Sequence, residues 1–255
     1  MKQRNRKSKK KKSVSWGLVL FEVIGWIILA GMLAGIYDTS RMISMILNAK
    51  PITQLSADTT GIIRLEGPAS SPIEVTEQGI LRKGYALIQK EPFYWRCSRG
   101  CDYKPNNGAN PQVWGSISVL GVEVQADRYR FYKSWLPLNR LTIETDHLLS
   151  IYEGGTTRPL LVEEQDSTAH GYHTVSLGEK ITVIGNAVHG RIEPIKIANN
   201  EMPAVLIGDN IKQMVTKEKK ERTAYTLIGI LVVLLLSPLM IGRIRRFLGR
   251  EERRG

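Results

Sequence analysis

A basic tail gives way at Trp16 to a nearly unbroken apolar run. Residues Trp16 to Tyr37 read WGLVLFEVIGWIILAGMLAGIY and hold one charge, Glu22. With about 1.5 Å of rise per residue, a helix over this run is about 33 Å long, enough for a hydrocarbon core of about 30 Å. A second run, Thr223 to Ile241 (TAYTLIGILVVLLLSPLMI), carries no charge and is also long enough to span. The basic front and the small residues Ala30, Gly31, Ala34 and Gly35 would also suit a cleaved signal peptide. A signal's apolar region is usually about 7–15 residues, however, so the first run is read as a retained anchor.

Between the two runs the pattern changes. Residues 38–58 place Met42, Ile43, Met45, Ile46 and Leu47 ahead of Pro51, which predicts a short juxtamembrane helix and a linker. From Gly61 onward, short β-type runs alternate with Gly, Pro and Asn breakers. Strands are predicted at 61–66, 72–76, 83–90, 93–97, 113–125, 139–144, 148–153, 158–163, 180–187, 190–197 and 203–207. The predicted turns are Gly67-Pro68, Pro105-Asn106-Asn107-Gly108, Gly154-Gly155 and Gly185-Asn186. There is no βαβ alternation and no internal repeat. The predicted class is a mainly β domain flanked by two transmembrane helices, the domain being an antiparallel barrel or sandwich with an OB-like barrel among the options. The expected layout is a tail at 1–15, a span at 16–37, a juxtamembrane helix and linker at 38–58 and a β-rich domain at 59–208. A juxtamembrane helix at 209–222, a second span at 223–241 and a tail at 242–255 complete it.

The net charge of +12 resides entirely in the tails. The first tail has eight Lys/Arg and no acid, and the last has six Arg against Glu251 and Glu252. Residues between them are neutral overall. A nucleic-acid surface needs its basic residues spread over a folded face, so no nucleic-acid partner is expected. Excess charge beside apolar runs orients spans instead. The tails hold fourteen Lys/Arg; the loop flanks hold seven, namely Arg41, Lys50, Lys212, Lys217, Lys219, Lys220 and Arg222. The bias predicts a two-pass cell-membrane protein with both termini cytoplasmic and residues 38–222 extracytoplasmic.

Few residues advertise chemistry. Glu22 sits inside the first span, where an acid is costly. It either snorkels toward the cytoplasmic face or pairs with Arg243 at the end of the second span. Ala30–Ala34 and Gly31–Gly35 have the small-xxx-small spacing that permits close helix contact, and Pro238 is a kink candidate. Lys217, Lys219, Lys220 and Arg222 adjoin the second span and are candidates for lipid phosphates. Cys97 and Cys101 are spaced C-x3-C, and an extracytoplasmic address favours a disulfide between them. Two free thiols, or a metal site recruiting His170 and His173, are the alternatives. His147, His170, His173 and His189 have polar neighbours that fit surface loops or strand ends. Glu163, Glu164 and Asp166 form an acidic cluster that reads as a solvated turn. No nucleophile elbow, S-x-x-K, H-E-x-x-H or phosphate loop is present, so neither a catalytic residue nor a metal or other cofactor is expected.

Three stretches carry a family resemblance: GIIRLEGPASSPIEV (61–75), GYALIQKEPFYW (84–95) and GYHTVSLGEKITVIGNAV (171–188), with PAVLIGDN (203–210) closing the domain. In these and in its layout the chain resembles GIDE-type membrane proteins, whose domain between two spans is called "beside a membrane". The resemblance covers residues 60–240. Ligase members of that family carry a zinc-binding RING after the second span. Here that tail is GRIRRFLGREERRG, without Cys or His, so ubiquitin-ligase activity does not carry over. The expected function is a non-enzymatic scaffold that presents its β-domain to another membrane or envelope protein at the bilayer surface. An extracytoplasmic envelope-modifying enzyme using Glu163, Glu164 or Asp166, and an accessory transporter subunit relying on Glu22, are the competing classes.

Overall fold

The computed structural model describes residues 16–77, 81, 83–97, 101–106, 109–136, 140, 161–163, 168–196 and 202–251. The strands predicted at 139–144 (Arg140 apart) and 148–153, and the Gly154-Gly155 turn, lie outside these residues. Two long helices, α1 (Trp16–Asn48) and α2 (Ile211–Glu251), bracket a strand-rich segment. The chain divides into two compact units: residues 1–39 with 221–255, and residues 40–220.

In the helical unit, both segments are long and apolar enough to cross a membrane. They meet where side chains are small. A Cβ on Gly25 would lie 2.7 Å from Leu236, and one on Gly35 would lie 3.0 Å from the Tyr225 ring, whereas Gly31 has nothing within 4 Å. Of the two predicted small-residue pairs, Ala30 and Ala34 are exposed and Gly31–Gly35 contributes only Gly35; Gly25, and Gly229, where a Cβ would lie 3.7 Å from Met32, add further close approaches. Pro238 stands inside α2 and cannot donate to the Leu234 carbonyl one turn back. The Ser237 hydroxyl donates to that carbonyl at 3.0 Å instead.

The strand-rich unit holds β1 (Lys50–Pro51), β2 (Gly61–Ser70), β3 (Leu87–Cys97), β4 (Cys101–Pro105), β5 (Gln112–Gly115), β6 (Ile117–Val119) and β7 (Val122–Val124). It continues with β8 (Tyr129–Phe131), β9 (Val162–Glu163), β10 (Thr168–Val175), β11 (Lys180–Val188), β12 (Arg191–Glu193) and β13 (Val205–Gly208). One sheet runs β7-β6-β2-β11-β13-β8, with β1 beside β2 and β12 beside β11. The other runs β4-β3-β10-β9, with β5 beside β3. Pairing is antiparallel except for β1 with β2 and β13 with β8. Side chains from both sheets, including Leu65, Ile117, Ile181 and Ile207 from the first and Leu87 and Val175 from the second, close one apolar core. A second core joins Met42, Ile43 and Ile46 of α1 and Met214 and Val215 of α2 to Ile184 and Leu206. Met42, Ile43 and Ile46 of the predicted juxtamembrane helix thus serve the folded domain, whereas Leu47 is exposed.

Several punctuation marks read from the sequence are not turns. Gly67-Pro68 lies within β2 and Gly185-Asn186 within β11. A Cβ on Gly185 would come within 2.2 Å of Ile192, so this glycine makes room for β12. Two hairpin turns among the described residues are Leu120-Gly121 and His189-Gly190, where all four residues have positive φ, as two-residue type I′ loops require. The predicted run 113–125 is accordingly broken into β5, β6 and β7. The predicted strands 83–90 and 93–97 fuse into β3 across Pro92. On one edge of β3, β5 covers Leu87–Lys90 and β4 covers Phe93–Cys97, so the proline falls where that edge changes partner.

Candidate functional site

The two sheets meet at β8, and the polar groups of the domain gather there. Tyr129 pairs with Val205 of β13 on one side. On its other side stands Gln89 of β3, fully buried. The Gln89 carboxamide oxygen accepts from the Tyr129 N–H at 2.7 Å, and its nitrogen donates to the Tyr129 carbonyl at 2.8 Å. One side chain thereby substitutes for a missing strand. The same nitrogen donates to Glu91, whose carboxyl pKa is raised by burial. Burial likewise pushes the Tyr129 phenol up to about 12, and its hydroxyl donates to the Val124 carbonyl.

Opposite this clamp, α2 begins. Asn210 caps it, its Oδ1 accepting from the Gln213 N–H at 2.9 Å. Two turns later Glu218 is completely buried. Its Oε1 accepts from Arg130 at 2.8 Å and from the Tyr132 hydroxyl at 2.7 Å. Neighbouring Lys217 donates to the Phe131 carbonyl at 3.1 Å. Its ammonium lies 5.7 Å from the centre of the Tyr132 ring, whose other cationic neighbour is Arg130 at 5.6 Å. Lys217 is therefore already engaged by the β-domain. Lys219 and Lys220 are exposed and Arg222 is half-buried.

His173 corrects the surface placement expected for the histidines. It lies within β10, buried, with its ring stacked on Phe131 at 4.6 Å and on Trp135 at 3.8 Å. Burial lowers its pKa to about 3, with the Lys217 and Lys133 charges adding to that effect and a hydrogen bond with the Ser134 backbone opposing it. It is a neutral core imidazole. His170, three residues earlier, is half-buried and His189 forms a hairpin turn. His147 lies outside the described residues.

Beside Trp135 opens a pocket of about 260 Å³. Lys133 enters it from the segment after β8, ion-paired with Glu179 and donating to the Thr174 carbonyl at 3.3 Å. The second Glu179 oxygen accepts from the Ser176 N–H at 2.8 Å. Tyr85, Ser134, Arg140 and Asp209 complete the polar wall. Burial raises the Tyr85 phenol pKa, and adjacent Arg140 partly offsets this.

No protein-family model, no curated protein and no solved structure matches this chain.

The remaining sequence candidates are dispersed. Cys97 is disulfide-bonded, and the β3–β4 register sets it opposite Cys101. That arrangement ends a hairpin in which exposed Trp95 meets Tyr103 edge-on at 4.9 Å. Glu22 is half-buried on the turn before Gly25. The Arg243 side chain lies outside the description, as do Glu164, Asp166 and the Glu163 side chain. Among the described residues, no three His, Cys, Asp or Glu side chains group closely enough to hold a metal ion. Sequence reading found no sign of Gln89 or Glu218 and put His173 at the surface, because a polar residue in a short strand or a charged helix looks the same whether it faces solvent or core.

Proposed function

We propose that the protein is a two-pass membrane protein that presents its strand-rich unit, residues 40–220, for interaction with another membrane or envelope protein. The observation that carries this is the exposure of the helical unit. Leu20, Ile27 and Leu33 of α1 and Leu227, Leu231 and Leu234 of α2 are each more than half exposed. Apolar surface of that extent is untenable in water and at home in lipid. The helices approach each other closely at glycines, Gly25 against Leu236 and Gly35 against Tyr225, as membrane helices do. The orientation follows the Lys/Arg bias: tails in the cytoplasm, strand-rich unit across the bilayer. The disulfide state of Cys97 agrees with an oxidising compartment. Under the GIDE-type resemblance, the three matching stretches correspond to β2, β3 and β10–β11, which share the apolar core with the other strands.

The test is crosslinking in native membranes followed by purification of the full chain, with protease added from the extracytoplasmic side. The reading expects carbonate-resistant membrane association, cleavage within 40–220 and one stoichiometric membrane or envelope partner. Release by carbonate, or protection of 40–220 while the tails are cut, refutes the topology. Purification of the chain alone under efficient crosslinking refutes the scaffold role.

A further inference from the structure

The pocket beside Trp135 has the composition of a ligand site. We propose that it binds a small zwitterion, a molecule carrying one oxyanion and one ammonium group a few bonds apart. Two cations, Lys133 and Arg140, and two carboxylates, Glu179 and Asp209, line it. Lys133 and Glu179 neutralise each other, and both are held further by backbone groups, at Thr174 and Ser176. They form a fixed wall. Arg140, which also meets the Tyr85 hydroxyl, and Asp209 are exposed, and neither is ion-paired among the described residues, so they are the opposite charges open to a ligand. Hydroxyls of Tyr85, Ser134 and Ser176 add neutral hydrogen-bonding capacity, and Trp135 and Leu136 offer apolar surface to a short carbon link. A plain anion would meet Asp209 with like charge, and a plain cation would meet Arg140; only a ligand with both charges satisfies both. At about 260 Å³ the pocket is below the usual range for drug-sized ligands, about 300–1,000 Å³, which restricts it to small molecules. Two chemistries of this kind and size are an α-amino acid and a phosphoethanolamine group. The inference is independent of which side of the bilayer the pocket faces.

The experiment is calorimetric titration of the full-length protein in uncharged maltoside micelles with alanine, O-phosphoethanolamine, inorganic phosphate and ethanolamine. At least one zwitterion is expected to bind with a Kd below about 1 mM, and phosphate and ethanolamine each at least about tenfold more weakly. The preferred zwitterion identifies carboxylate or phosphate as the oxyanion. Arg140→Gln and Asp209→Asn should each weaken binding about tenfold or more. Because both side chains are exposed, their melting temperatures should match the parent's. Absence of zwitterion binding at about 10 mM, equal binding of a singly charged probe, or unchanged affinity in well-folded variants overturns the proposal.

Discussion

The Gln89 clamp makes a quantitative prediction. Gln89→Leu keeps the bulk of the side chain and removes its carboxamide. Tyr129 is itself buried, so its N–H and C=O, which now bond Gln89 at 2.7 and 2.8 Å, would be left without water or protein partners. Each such orphan costs about 1–3 kcal/mol, and the leucine recovers about 1 kcal/mol by no longer burying an amide. The expected loss is about 1–5 kcal/mol, or about 2–20 °C in the melting temperature of a unit this size. Chemical denaturation of the full chain in micelles measures it, and hydrogen exchange at the Tyr129 amide localises it. Gln89→Glu sharpens the test. Its carboxylate can accept from the Tyr129 N–H but confronts the Tyr129 carbonyl and Glu91, so its folded-state pKa is raised. Its deficit against the parent should therefore be large at neutral pH and shrink as the pH falls, when the protonated acid donates to that carbonyl. A Gln89→Leu cost below about 1 kcal/mol, with Tyr129 still protected, would refute the idea that this one side chain joins the two sheets.

His173, neutral in the fold with a pKa lowered to about 3, takes up a proton near pH 6.5 only when unfolded. Its contribution is complete above pH 6.5 and is lost progressively as the pH falls from there toward 3. At pH 5 the loss is about 2 kcal/mol; His173→Phe should flatten this part of the pH–stability curve, and an unchanged slope would contradict the assignment. Glu218→Ala removes the buried acceptor shared by Arg130 and Tyr132 and should cost about 3–5 kcal/mol, whereas Glu218→Gln, which still accepts from both, should cost less than half of that in the same denaturation assay. In the helical unit, Gly25→Leu and Gly35→Leu should weaken contact between the two apolar segments, read as lost crosslinking between engineered cysteines, while Gly31→Leu, facing open space, should leave it intact.

What the sequence revealed depended on whether a residue's type constrains its surroundings. Two long apolar runs have one physical explanation, so helices over 16–37 and 223–241 were foreseeable, while α2 runs on to Glu251 through residues read as a tail. The mainly β class followed from short runs with β-branched residues such as KITVIGNAV. Strand β10, reading TAHGYHTV, is absent from the strands predicted by pattern because the polar neighbours of its histidines fit surface loops or strand ends. Yet Ala169, His173 and Val175 alternate toward the interior, and His173 is admitted there because burial keeps it uncharged and two aromatic rings stack on it. In β3 the alternation fails for the opposite reason. Leu87, Ile88, Gln89 and Lys90 are all buried, since both faces of that stretch are covered. Polar residues survive there only because each finds a specific partner: Tyr129 for Gln89, and Glu77 at 3.3 Å for Lys90. Such partners lie 13 and 40 residues away along the chain, a separation that local periodicity cannot bridge. The pocket is of the same kind. Tyr85, Lys133, Arg140, Glu179 and Asp209 share no motif and become neighbours only after the strands between them have paired.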